Sequence, residues 1–279
     1  MLLATVLALS AAVLHAGWNL IAKRADGDRY LVLWAQFFAA GLLTAPLLIG
    51  YQIIWGMPWQ GYMWAALSGC VHVPYVWLLA RAYSVGDFSI SYPVARGGGA
   101  ALAALGGVVA LNDHLSPLEV LGIAIVVCGL ILLAYGAHGK ALVVALLAAV
   151  SIGVYSTIDG KGVRSTPDTI GFVLATMTAG GITNTAAAVI IRRPADMSAM
   201  FVANWRRASL TGLASVVTYG MVLVAFTYAS IGYVTALRES SVVLAALAGW
   251  RLLGEGDHRR RLSAAVVVFA GLLVLVLGR

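Results

Sequence analysis

Tyr92-Pro93-Val94-Ala95-Arg96-Gly97-Gly98-Gly99 and Ala236-Leu237-Arg238-Glu239-Ser240-Ser241 decide how this chain folds. Each sets an arginine well inside an apolar run long enough to cross a bilayer. An ionisable side chain at that depth costs roughly 2.5–3.5 kcal/mol on insertion scales, so it implies a compensating role. The two arginines also hold equivalent positions. Arg96 precedes Asp113 of Leu111-Asn112-Asp113-His114-Leu115 by 17 residues (113 − 96). Arg238 precedes Glu255 of Leu253-Gly254-Glu255-Gly256 by 17 (255 − 238). Matching frames of this kind mark an internal duplication with a polar site in each copy.

The surroundings of both segments are apolar. The 279 residues are 61% hydrophobic and 10% charged, with a mean hydropathy of +0.93. A soluble domain carries about 25% charged residues, so the composition describes a polytopic membrane protein. Ten spans are expected: 2–22, 30–51, 61–83, 88–111 and 117–136, then 141–159, 168–191, 207–229, 232–253 and 262–278. Continuous apolar runs exclude the alternating pattern of a barrel and predict an all-α fold. The first run lacks a basic leader and continues to Ala22, so it reads as a retained helix. Ala137-His138-Gly139-Lys140 separates two units, 1–136 and 141–279. Five spans reverse the chain, so the second unit is expected upside down relative to the first. Such inverted repeats are typical of secondary transporters, which bind their cargo near the midplane.

The net charge of +7 resides in short loops and marks lipid headgroups and topology, not nucleic acid. Lys and Arg concentrate in the odd-numbered loops, which by the positive-inside rule places those loops in the cytoplasm. Cys70 and Cys128 lie in separate apolar runs and read as packing residues. No metal ligand set, nucleophile elbow, prenyl-transfer Asp motif or phosphate loop is present, so neither an enzyme nor a cofactor is expected.

Polar residues inside the spans form the candidate site. His15 and Asn19 share a helix face, with Trp18 beside them. In the fourth span Pro93 removes the partner of the Ser89 carbonyl and invites a kink, and Gly97 opens the next turn. Tyr92 and Arg96 flank that point. Arg238 and Glu239 point about 100° apart on a helix, which allows Glu239 to neutralise Arg96 and leave Arg238 for a substrate carboxylate. Glu239, Pro93 and Gly97 are assigned to coupling or gating. Glu239 reads equally as a permanent lock to Arg96. Tyr75, Tyr155 and Tyr219 are expected to line the cavity. Asp159 is expected at the interface, and Trp55, Trp59 and Trp64 in the aromatic belt. Gly122, Ala124, Cys128, Gly129 and Gly271 offer small faces suited to a homodimer.

Four segments resemble the drug/metabolite transporter superfamily, in its EamA-like branch. They are His15-Ala16-Gly17-Trp18-Asn19-Leu20-Ile21-Ala22-Lys23, Tyr92-Pro93-Val94-Ala95-Arg96-Gly97, Leu237-Arg238-Glu239-Ser240-Ser241-Val242-Val243 and Leu252-Leu253-Gly254-Glu255. The resemblance implies ten helices in two inverted five-helix repeats, with a cavity lined by spans one, three, four, six, eight and nine. It implies a carrier that exports or exchanges small metabolites. The family pattern after the fourth and ninth spans resembles Gly-Glu-Arg, from which Asn112-Asp113-His114 and Gly254-Glu255-Gly256 depart. It also implies cytoplasmic termini, opposite to the charge count. The sequence thus reads as a secondary transporter in the cell inner (plasma) membrane, exporting amino acids or related zwitterions and coupled to a proton or another ion. Two alternatives stay open: a carrier of quaternary amines held in an aromatic cage, and a membrane scaffold or receptor with a packed interior.

Overall fold

The computed structural model describes the backbone of residues 1–23, 27–85, 88–133, 139–166, 168–241, 243–244 and 258–278. Within helices, the side chains of 19–23, 83, 85, 88–93, 133, 258–262 and 265 are excluded. Ten helices account for almost all of the described chain, and no strand occurs among these residues. They are α1 (Leu2–Lys23), α2 (Arg29–Ile54), α3 (Trp59–Val85), α4 (Phe88–Leu111), α5 (Pro117–Leu133), α6 (Gly139–Ser165), α7 (Thr169–Ile191), α8 (Pro194–Tyr228), α9 (Ile231–Arg238) and α10 (His258–Leu277). Six of them, α2, α3, α4, α6, α7 and α8, are long and apolar enough to cross a membrane; shorter apolar stretches occupy α1, α5 and α10. Large apolar side chains such as Ile49, Val109 and Ile190 cover the outer surface, which in water would be untenable and in lipid is matched.

Local sequence explains where helices begin. Asp28 caps α2 by accepting from the Tyr30 amide at 2.8 Å. Asp168 does the same for α7, accepting from Ile170 and Gly171. Ser116-Pro117-Leu118-Glu119 forms a capping box: the Ser116 hydroxyl accepts from the Glu119 amide, and the Glu119 carboxylate accepts from the Ser116 amide. Pro117 sits at the first helical position, where no N–H is needed.

Three helices differ from the expected spans. α6 runs to Ser165, beyond the expected 159, and so carries Asp159 in its interior. α8 starts at Pro194 and its 35 residues would extend about 52 Å. It breaks at Asn204, whose φ of −121° and ψ of 16° leave the helical region. The Asn204 side-chain amide donates to the Met200 carbonyl at 3.2 Å. Trp205 and Arg206 follow the break, the guanidinium 5.4 Å from the indole centroid. α9 stops at Arg238: the Glu239 amide bonds back to Ala236 at 3.0 Å, three residues away, and tightens the last turn. The backbone of α4, by contrast, is helical through Pro93. Among the described residues the helices are therefore interrupted at Asn204 of α8 and at the end of α9, and not in the fourth span.

Close backbone approach joins the helices. A Cβ on Gly41 of α2 would stand 3.0 Å from Gly181 Cα of α7. One on Gly271 of α10 would stand 2.7 Å from the Val126 amide nitrogen of α5, and one on Gly122 2.6 Å from that of Leu275. Gly122, Gly129 and Gly271 are thus spent on packing within the chain, while Ala124 and Cys128 face outward.

Candidate functional site

α1, α2, α3, α4, α6, α7, α8 and α9 surround a pocket midway along the bundle. Seven residues singled out in the sequence line it: His15, Trp18, Tyr75, Arg96, Tyr155, Tyr219 and Arg238. His15 and Trp18 meet edge to face with ring centroids 4.7 Å apart, as three-residue helical spacing allows. Tyr75 faces inward at 9% exposure while Trp77, two residues on, is 46% exposed on the outer surface.

One wall is aromatic. The His72 ring stacks on Tyr155 at 4.2 Å, and Tyr75 meets Tyr155 edge-on at 5.4 Å. Tyr219 completes the group, 6.4 Å from Tyr155. His72 Nδ1 lies 2.9 Å from the Ser68 carbonyl, which can only accept. Nδ1 therefore carries the hydrogen, and in the neutral ring Nε2 is the acceptor.

Beside it the wall is cationic. Arg96 Nη2 donates to Glu239 Oε1 at 2.7 Å, a pair in which both side chains are almost fully buried. Arg238 stands next to it in sequence but is used differently. It is 4% exposed, and among the described residues it makes no ion pair and its Nε has no hydrogen-bond partner. Its guanidinium lies 6.0 Å from the centre of the Tyr219 ring, within range of a cation–π contact. Two other pocket donors, Trp18 Nε1 and Thr218 Oγ1, likewise have no partner among the described residues.

Other expected residues fall elsewhere. Glu239 stands behind the pocket, on Arg96. Gly97 packs against α5, where an added Cβ would be 2.8 Å from the Leu130 side chain. Asn19, Tyr92 and Pro93 lie outside the described side chains. Asp159 corrects the interface expectation: it is 0% exposed and accepts a hydrogen bond from the Tyr219 hydroxyl. The sequence reading left out Gln36, Ser215 and Thr218, which line the pocket. Gln36 donates to Ser215 at 3.1 Å. An amide inside the apolar run 30–51 was a signal for Gln36; Thr218 and Ser215 gave none.

Beyond Asp159 a polar cluster closes one end of the bundle. Arg164 donates to Asp113 Oδ1 at 2.5 Å, to the Phe226 carbonyl at 2.9 Å and to the Ala229 carbonyl at 2.9 Å. Asp113 also accepts from the Ile231 amide at 2.8 Å, so it caps α9 from another segment. This clasp ties the ends of α4, α6, α8 and α9.

Comparison with known proteins bears on what such a site serves. The EamA-like transporter family matches residues 139–277, which include α6 to α10. The chain belongs to that family. EamA-like proteins are in general membrane transporters of small solutes rather than enzymes. A crystal structure of another protein shares this fold with a TM-score of 0.74, covering 99% of this chain and 98% of that one at 16% identity. No curated protein matches the chain.

Proposed function

We propose that this EamA-like chain is a secondary active transporter that exports amino acids or related zwitterions by alternating access, using two inverted repeats in the inner (plasma) membrane. The observation that carries the reading is the group of buried donors around one pocket that have no partner among the described residues: Trp18 Nε1, Thr218 Oγ1 and Arg238 Nε. Buried donors of this kind are costly unless a ligand meets them. A solute carboxylate is an acceptor suited to such donors. The aromatic wall of His72, Tyr75, Tyr155 and Tyr219 suits the apolar part and the ammonium group. His15 and Gln36 orient it. Arg96, held by Glu239, contributes shape and field, not a free charge.

Helix packing supports the two-repeat reading. If span n corresponds to span n + 5, the most extensive helix contacts have counterparts. α3 packs on α6 as α8 does on α1, and α3 on α7 as α8 does on α2. α2 with α7, α4 with α9 and α5 with α10 pair with themselves.

The aromatic wall also suits a quaternary amine, but Arg238 in the same pocket opposes a cation without a carboxylate. A scaffold or receptor has no use for unmatched donors in its interior. Uptake of radiolabelled neutral L-amino acids into proteoliposomes tests the proposal, with choline as the comparison. Arg238→Ala is expected to weaken transport of the amino acids by at least about thirtyfold, the loss from about 2 kcal/mol or more when a buried charge partner is removed. Unchanged uptake by a folded Arg238→Ala protein overturns the carboxylate assignment.

A further inference from the structure

Asp159 takes no part in the pocket lining, yet it is wired to it. It lies one turn beyond Tyr155 on the same face of α6. Its Oδ2 accepts from the Tyr219 hydroxyl, and Tyr219 lines the pocket beside Arg238. Its Oδ1 has no partner among the described residues, and the side chain is fully buried. A carboxylate removed from water needs hydrogen bonds, a cation or a proton. No ion pair to Asp159 occurs among the described residues. We infer that Asp159 is a proton-binding site, and that a proton there competes with the ammonium group of the transported solute; this rests on the zwitterion reading of the pocket.

The surroundings of Asp159 define the competition. α3 brings Ser68 and His72, α8 brings Tyr219, and α6 itself brings Tyr155. α9 brings Arg238, whose charge reaches Asp159. The ionisable group of α4 in this region is Arg96, already paired with Glu239. α7 contains no titratable side chain. With Asp159 ionised, the four charges Arg96, Glu239, Arg238 and Asp159 sum to zero, with the unmatched positive and negative ends on either side of Tyr219. That is the complement of a zwitterion. With Asp159 protonated, the sum is +1 and the ammonium end loses its attraction.

The donor pattern of the wall changes at the same time. An ionised Asp159 only accepts, so Tyr219 donates to it. A protonated Asp159 gains an O–H donor on the oxygen that had no partner among the described residues, while its other oxygen still accepts from Tyr219. One proton thus alters both the charge and the donor pattern of the pocket wall. Asp159 is also five residues from Arg164, about 7–8 Å along the helix axis. It stands between the pocket and the clasp, where water can reach it once the clasp parts.

Two measurements on the full-length purified protein test this. The first uses infrared difference spectra between acid and alkaline pH without solute. A carboxylic-acid band is expected in the wild type and in Glu239→Gln, lost in Asp159→Asn, and shifted in its titration midpoint in Tyr219→Phe. No titrating band in the wild type, or a band that survives Asp159→Asn and vanishes in Glu239→Gln, overturns the inference. The second uses proteoliposomes and radiolabelled neutral L-amino acids. Competition predicts accumulation in vesicles with an acidic lumen, as protons leave while solute enters. Exchange at equal pH that ignores a pH gradient, or accumulation in an alkaline lumen, overturns the competition and leaves the transporter reading standing. An intact Asp159 band with no solute movement at all supports the proton site and defeats the transporter reading instead.

Discussion

Arg96 and Arg238 occupy equivalent places in the sequence and do different work. Arg96 is bonded to Glu239, while Arg238 Nε has no partner among the described residues. Removing Arg96 leaves the Glu239 carboxylate buried and uncompensated, which typically costs about 3–5 kcal/mol. Arg96→Ala is therefore expected to lower the unfolding temperature strongly in detergent, and Arg238→Ala to leave it nearly unchanged. Replacing both partners, Arg96→Met with Glu239→Leu, is expected to recover most of the loss, because it removes the desolvation penalty along with the attraction. Equal melting of Arg96→Ala and wild type contradicts the lock. The division of labour was half legible in the sequence. Adjacent residues on a helix diverge, so Glu239 and Arg238 had to face different neighbours. That Glu239 reaches Arg96 depends on contact between elements 143 residues apart. Asp159 was misplaced for the same reason: six more residues of helix, and Tyr219 arriving from α8, carry it inside.

At the scale of elements, the chain's own punctuation was readable. The expected limits of the fourth span coincide with α4, and the α5 start follows from Ser116-Pro117-Leu118-Glu119. The breaks at Asn204 and Glu239 were not, because no proline or glycine stands beside either residue. Asp28 illustrates how one residue joins two elements: it caps α2 and accepts from Arg192 Nε, at the end of α7, at 2.7 Å. Burial alone raises its carboxyl, but hydrogen bonds from Arg192 and the Tyr30 amide outweigh it and hold it below the usual carboxylate value. A depressed carboxyl contributes stability that is full above its unfolded pKa of about 3.9 and lost as pH falls through the lower folded value. Asp28→Ala is expected to cost about 1 kcal/mol at neutral pH, the value of a cap. Asp28→Asn keeps the cap and loses an exposed ion pair, so a smaller cost of about 0–1 kcal/mol is expected. Thermal melts across pH check both, and the gap between wild type and Asp28→Asn closes on acidification. At the other end of the bundle, Gly271→Val drives a side chain into the Val126 amide. Overpacking of this kind costs about 1–3 kcal/mol. A melt unchanged by Gly271→Val would show that α5 and α10 are not packed through glycine.

The whole molecule is asymmetric along its axis. Asp113, between α4 and α5, and Arg164, near the end of α6, close the end reached by the even-numbered connections. The sequence marked Asp113 only as a landmark 17 residues after Arg96. Its use as a cap for α9 comes from a contact between residues 118 apart in the chain. Asp113 holds Arg164 and the Ile231 amide at once, and Arg164 holds two carbonyls at the end of α8, so the clasp is cooperative. A carrier that alternates must release this cluster to expose the pocket on that side. Arg164→Ala removes the hub and leaves Asp113 on Ile231, so α9 stays capped and the bundle should remain folded. The expected result is a shift of population toward the state open at the clasp. Ser156, buried on α6 between the pocket and Arg164, reports it: in a protein lacking Cys70 and Cys128, Ser156→Cys should react slowly with a membrane-impermeant maleimide. Adding Arg164→Ala should speed the reaction roughly tenfold, which corresponds to about 1.4 kcal/mol of bias between the two states. The acceleration should appear from one side of the membrane only, the side of the even-numbered connections. An unaltered rate would mean that the clasp is a fixed strut, and that any opening occurs at the other end of the bundle.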